Sequence, residues 1–592
     1  MRPLLISCLA LAVAAGCAKK TETKEEADQA ASTLDSIEVT GSRIGDQTAA
    51  GAPATARAEA EAAASAMARD RHVRAAAKAQ RAQETLAYAP PPAPPPAPVA
   101  HYAMPQPVMA PPEANTENYE AFDDNGIVRS AENAVSTFSI DVDTGSYSNV
   151  RRMLAQGQLP PKDAVRVEEM INYFDYGYAG PADRSQPFAV STELAPAPWD
   201  RKRLLMHVGI QGYAVPVSQI PASNLVLLID TSGSMSDPNK LPLLKEAFRQ
   251  MVPQLRAQDR VSIVVYAGSA GLVLPPTPGD RHGEILDALG RLEAGGSTNG
   301  GEGIELAYAM AKQGFIDGGV NRVVLATDGD FNVGIYDPRA LETRVEQARE
   351  SGIALTTLGF GQGNYNDAMA EKLADVGNGN HAYIDNLMEA RKVLVEEMSS
   401  TLLTIASDVK IQVEFNPAQV AEYRLIGYEN RALAREDFNN DQVDAGEIGA
   451  GHDVTAIYEL CLVGMGCESS DPLRYSAPKV APATAQELAF LKLRYKLPGN
   501  DRSVLMERPV TRRDVKPEAS ENLRFAAAVA AYADLLRGGQ NMDGFSWDQI
   551  ETLARGARGN DPWGYRSEFL QLLAQARSLS AARDPAVAIS TE

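Results

Sequence analysis

The run Leu225-Val226-Leu227-Leu228-Ile229-Asp230-Thr231-Ser232-Gly233-Ser234 decides the fold. Five apolar residues in a row, closed by polar and glycine residues, read as a short strand buried on both faces. Three more apolar runs follow, Val261–Val265, Val323–Ala326 and Ile353–Leu358. Between the first two, Leu244, Phe248, Met251 and Leu255 recur at i, i+4, i+7 and i+11, which is one face of a helix. Buried strands alternating with helices predict an α/β class: a doubly wound, mostly parallel sheet covered on both sides. A ligand site on such a sheet belongs at the carboxyl ends of its strands.

Polar segments stand at those ends. Asp230-Thr231-Ser232-Gly233-Ser234 closes the first run and Thr327-Asp328-Gly329-Asp330 closes the third. The Gly-rich loop Ala294-Gly295-Gly296-Ser297-Thr298-Asn299-Gly300-Gly301 lies between them in sequence. This set, Asp-x-Ser-x-Ser with a loop threonine and a later aspartate, resembles the metal-ion-dependent adhesion site of von Willebrand factor type A domains, a Rossmann-like fold. The resemblance implies a divalent cation, Mg²⁺ or Mn²⁺, held by Asp230, Ser232, Ser234, Thr298 and Asp328, with Asp330 and Asn332 orienting the loop. A hard divalent ion takes oxygen ligands and gives up its waters reluctantly. Hydroxyl and water ligands leave much of its charge unquenched, so a carboxylate from outside can displace a water. The resemblance therefore implies a protein partner that presents Asp or Glu. Three other readings stay open: Asp230 and the serines capping a helix, an ion that only stabilises the fold, and Ser232 as a hydrolase nucleophile. The last lacks both a G-x-S-x-G elbow and a paired histidine.

Outside the sheet, the chain of 592 residues is long enough for two or three cores. Its formal net charge is -21, and residues 18–115 hold nearly balanced charges, so the acidity belongs to 116–592. Nucleic acid is excluded as a partner, because phosphate recognition needs clustered Lys and Arg. Residues 1–17 read as a signal peptide, with an apolar stretch from Leu4 to Ala15 too short to span a bilayer. Ala14-Ala15-Gly16-Cys17 resembles a bacterial lipobox, which implies lipid on Cys17; Ala18 after it implies sorting to the outer membrane. The membrane is thus expected to be met through a lipid anchor alone, with the body facing the periplasm. Residues 18–115 are Ala-rich and then Pro-rich, with little to bury, and read as a disordered tether. Within it Ile37–Ile44 resembles the segment before the plug of TonB-dependent receptors. Cys461 and Cys467 enclose a short Gly-containing link, and an oxidising compartment favours a disulfide between them over two free thiols.

Thr137–Leu154 (TFSIDVDTGSYSNVRRML) and Val165–Tyr178 (VRVEEMINYFDYGY) resemble the N-terminal partner region of a bacterial family of von Willebrand factor A lipoproteins. Tyr423–Leu460 and Glu521–Gly539 resemble that family's C-terminal domain. The expected units are 116–215, an N-terminal associated domain; 216–405, the von Willebrand factor A domain; and 406–592, a C-terminal α+β domain. Asp437–Asp441 starts like a calcium loop, but Gln442 and Ile448 stand where an EF-hand needs Gly and Glu, so a polar loop is expected. There is no G-x-x-x-x-G-K-[ST] and no H-E-x-x-H, and the chain is read as a binding protein, not an enzyme. The competing reading is a periplasmic scaffold in which the ion serves stability alone.

Overall fold

The computed structural model describes residues 117, 119, 121–140, 143–296, 300–329, 338–362, 367–443, 445–469, 486–500, 502–542 and 544–583. The chain divides into two units, Met1–Pro95 and Pro96–Glu592, and every described residue lies in the second. The signal peptide, Cys17 and the tether up to residue 115 lie outside the described residues, as do Thr298, Asp330 and Asn332.

All four apolar runs form strands of one six-stranded sheet. Its order is His381–Ile384, Ala354–Phe360, Val320–Thr327, Ser223–Asp230, Arg260–Tyr266, Ala270–Pro278. Every pairing is parallel except the last, where a short link returns the chain as an antiparallel edge strand. The run Leu225–Ile229 shows why continuous apolarity was needed. Leu225, Leu227 and Ile229 face Leu244, Phe248 and Met251 of the helix Leu241–Met251, while Val226 and Leu228 face Ile304, Ala307 and Val345 on the other side. Each such burial stabilises by about 1.5–3 kcal/mol. Leu255 is buried too, just past a 3-10 turn, Val252–Gln254, that follows the helix.

The flanking segments, expected as two units, form one body. The strand Arg203–Gly212 pairs with Phe188–Pro196 on one edge and with Asp453–Leu462 on the other. Val135–Ser139 pairs with Thr404–Phe415, which in turn pairs with Glu487–Lys496. Two five-stranded sheets result, each drawing strands from both sides of the central domain, and they enclose a common core that includes Phe138, Met206, Ile411, Phe415 and Tyr458. The physical reason is edge completion: strands of 116–215 carry open N–H and C=O edges whose partners lie beyond residue 404. Thr137, Phe138 and Ser139 are accordingly all buried, although apolar and polar residues alternate there; Ala432 and Leu433 run along the remaining edge.

Helices Gly145–Ala155, Val167–Asn172, Glu521–Arg537, Trp547–Arg555 and Tyr565–Arg583 cover the outer face of one of these sheets through a second core. Phe525, Val529 and Tyr532 are buried in it, and Leu536, next on the same stripe, packs against it half-buried. Trp547 packs at its margin, whereas Trp563 is 49% exposed under the Arg391 guanidinium. The Asp437–Asp441 segment forms a polar loop around a 3-10 turn, and Ser503 donates to the Asp441 carboxylate. A disulfide joins Cys461, at the end of a strand, to Cys467 across the tight turn between them.

The central domain is tied to this body by buried charges. Arg151 donates to Asp385, Glu389 and Glu568. Asp143, past the end of its strand, accepts from the His381 N–H (2.9 Å) and from Arg431 (3.2 Å). Arg431 also reaches Glu371 and Asp375 of the helix Asp367–Val376.

Candidate functional site

Asp230 is the last residue of its strand, beside Tyr266 on one neighbouring strand, while Ile229 pairs with Ala326 on the other. Asp328 follows Thr327, the end of that second neighbour, so adjacent parallel strands bring both aspartates to one rim. Both are fully buried.

The turn after Asp230 is built by backbone bonds. The Ser232 N–H donates to Asp230 Oδ1 (2.8 Å), and Thr231 donates its N–H (3.0 Å) and its hydroxyl (3.3 Å) to the Tyr266 carbonyl. That geometry aligns the hydroxyls of Ser232 and Ser234, which lie 2.9 Å apart. The loop that carries Thr298 is anchored here by its described flank: Gly295 N–H donates to Thr231 O (2.8 Å) and Gly233 N–H to Gly296 O (3.0 Å). Gly296 has φ +96°, a conformation that favours glycine, and a Cβ there would press on the Gly268 amide. The structure thus brings together Asp230, Ser232, Ser234 and Asp328, with Thr298 itself outside the described residues.

One atom stands out chemically. Asp230 Oδ2 is buried and receives no hydrogen bond, with Tyr266 close beside it. Burial, with the charge of Asp328 adding to it, raises the Asp230 carboxyl to about 6, although the Ser232 N–H and the hydroxyls of Ser232 and Tyr266 pull the other way. An orphaned carboxylate oxygen next to paired hydroxyls is a donor set that fits a hard divalent cation. Asp328 is held differently: Lys240 Nζ, itself buried, donates to its Oδ2 at 2.9 Å. Sequence reasoning missed Lys240. It stands 88 positions from Asp328, and only the fold joins them.

The remaining candidates are structural. The Ser232 hydroxyl pairs with Ser234, and among the described residues no histidine reaches it. His207 and His381 lie in strands. His207 meets the Tyr178 hydroxyl (2.7 Å), and burial lowers its ring to about 4. His381 meets the Thr357 hydroxyl (2.9 Å).

The six-stranded sheet with this rim is a von Willebrand factor type A domain, and the family model of that description matches residues 224–397. A model described as von Willebrand factor matches 113–207, and one described as uncharacterized protein YfbK, C-terminal, matches 400–579. The uncharacterized protein YfbK of Escherichia coli (strain K12) is 52% identical over 466 residues, 77% of this chain and 80% of its own length. The chain belongs to the YfbK family. A UPF0353 protein of Mycolicibacterium paratuberculosis is 32% identical over 23% of this chain and 44% of its own length. Among solved structures, a von Willebrand factor type A protein from Catenulispora acidiphila matches with 17% identity and a TM-score of 0.37, covering 65% of this chain and 89% of that one.

Proposed function

We propose that the rim is a metal-ion-dependent adhesion site that binds a protein partner through an Asp or Glu of that partner. The observation that carries this reading is the buried, unpartnered Asp230 Oδ2 beside the paired Ser232 and Ser234 hydroxyls. Asp230, Ser232, Ser234, Thr298 and Asp328 would hold the ion, Mg²⁺ or Mn²⁺. When bound, such an ion supplies an open coordination position and an incompletely quenched positive charge for an incoming carboxylate. The residues of the chain prepare this. The Ser232 N–H fixes one oxygen of Asp230, and Lys240 brings Asp328 to the rim already paired, which limits the negative charge that would repel an acidic partner.

The reading extends to location: an envelope lipoprotein anchored through Cys17 in the outer membrane and facing the periplasm. It assigns no catalytic step, in keeping with a Ser232 hydroxyl whose neighbour is another hydroxyl and not a base.

In-cell crosslinking and mass spectrometry, comparing the wild type with Asp230→Ala and Ser232→Ala, test the function. Loss of one Mg²⁺-dependent partner in both folded variants is expected. If chelation lowers the melting temperature yet the same partner is captured by all three proteins, the ion is a stabiliser in a scaffold and the reading falls. Cys17→Ala is expected to move the protein from the membrane to the soluble fraction.

A further inference from the structure

We infer that a cleft beside the candidate metal site is a second subsite, which takes a carboxylate carried on an extended acidic peptide segment of the partner. Its link to the first subsite rests on the metal-dependent reading above; the cleft chemistry does not.

The cavity, about 440 Å³, opens between the helices Gly145–Ala155 and Tyr565–Arg583 and the carboxyl ends of the two strands Ala354–Phe360 and His381–Ile384. That volume suits a side chain with a short stretch of backbone. It lies on the same rim as Asp230. Gly361, which lines it, packs so tightly on the Lys240 stem that a Cβ there would overlap it, and Asn239 lines it from the residue before. Lys240 is therefore the wall between cleft and Asp328. Ala354–Phe360 is two strands away from Ser223–Asp230, so the cleft begins about 10 Å from Asp230 at ~4.8 Å per strand.

Two consecutive arginines on one helix differ in how many of their donors are taken. The Arg151 guanidinium is used up: Nε, Nη1 and Nη2 donate to Asp385, Glu568, Glu389, Tyr173 and Ser148. Arg152 is 8% exposed and lines the cleft. Its Nη2 is held by Glu117 (2.9 Å) and Tyr119 (3.3 Å) and its guanidinium lies over the Tyr383 ring, but its buried Nε has no partner. Its charge is shared with Glu117, and the unused Nε–H leaves it one donor for a further carboxylate.

The other free groups are amides. Gln571 and Gln575 sit one turn apart and exposed on the helix Tyr565–Arg583, facing the cleft with Asn239. Each amide donates and accepts, which matches a peptide backbone. Asp385 and Glu568 on the wall are engaged by Arg151, but their charge disfavours a polyanion and favours one carboxylate on a neutral chain. With ~3.3 Å per extended residue, a segment serving both subsites carries its two acidic residues about three positions apart.

Fluorescence anisotropy with the full chain tests this. The probes are labelled peptides Gly-Asp-Gly-Gly-Asp-Gly and Gly-Asp-Gly-Gly-Asn-Gly, each in Mg²⁺ and in EDTA. In Mg²⁺ the two-Asp peptide is expected to bind at least about tenfold tighter than the one-Asp peptide. Arg152→Gln and the surface double variant Gln571→Ala/Gln575→Ala are expected to erase that gain and leave the one-Asp peptide unaffected. In EDTA, or with Asp230→Asn, weaker binding of the two-Asp peptide persists and depends on Arg152. Binding that depends on Arg152 but never on Mg²⁺ overturns the metal reading and supports the cleft. Equal affinity for the two peptides in Mg²⁺, no difference between the wild type and the glutamine variant, or no saturable binding overturns the cleft.

Discussion

At the seam between the central domain and the helical layer, Arg151 spreads its charge over Asp385, Glu389 and Glu568; at the rim, an oxygen of Asp230 lies buried without a donor. Both regions remove charge from water, which costs several kcal/mol per ion unless a partner compensates. The seam gives each of its carboxylates a cation from within the chain, Glu389 included although its Oε1 accepts no hydrogen bond, so its charges hold two parts of the chain in one orientation. The rim leaves part of its debt open, and an open demand for positive charge is what a binding site for a cation requires.

The largest expected effect tests the seam. Arg151→Ala strips the buried Glu389 and Asp385 of their main partner, and about 3–5 kcal/mol of stability is expected to go, read by urea denaturation. A loss below about 1 kcal/mol would erase the contrast between the two regions. The next effect straddles them. Lys240→Met strips the buried Asp328 of its lysine partner, with about 3 kcal/mol lost in EDTA and a clearly smaller loss in Mg²⁺. Equal losses in both would show that no cation reaches Asp328.

The smallest change in stability, and the most informative, is at Asp230. Its carboxyl, raised to about 6 mainly by burial, binds a proton more tightly folded than unfolded. That contribution is present at low pH and is lost as pH rises through about 6, so the metal-free fold weakens there, and Mg²⁺ should restore it. Below about 6 the proton competes, and the apparent Mg²⁺ affinity is expected to fall about tenfold per pH unit, followed by thermal shifts between pH 5 and 7.5. Asp230→Asn should match the wild type within about 1 kcal/mol in EDTA and lose the Mg²⁺ response. A variant that still responds would place the ion elsewhere.

The middle of the central sheet was legible because its strands are buried on both faces, so Leu225–Ile229 and its three counterparts advertise themselves without any neighbour in view, whereas the half-exposed edge strand Ala270–Pro278 does not. The rim was legible as residue types at strand ends. Lys240 was not, since a lysine before a helix carries no mark of the aspartate it will meet 88 residues on. The flanking body was the least legible. Thr137 and Phe138 show a strand, but nothing in them says that the partner strand begins at Thr404. Edge pairing is a property of two distant segments at once, and local periodicity reports on one.

That pairing has a consequence for how the chain comes to be folded. Gln412 and Thr137 bond across 275 positions, so the sandwich stays incomplete until the later half has emerged. The central domain, complete between Ser223 and Ile384, has all its strand partners in hand well before. Contacts so far apart in sequence close slowly, and during that interval Val135–Ser139 and Arg203–Gly212 lie open along one side. A chain delivered amino end first therefore holds unmatched ribbons while it waits, and its need for a chaperone is greatest in that window.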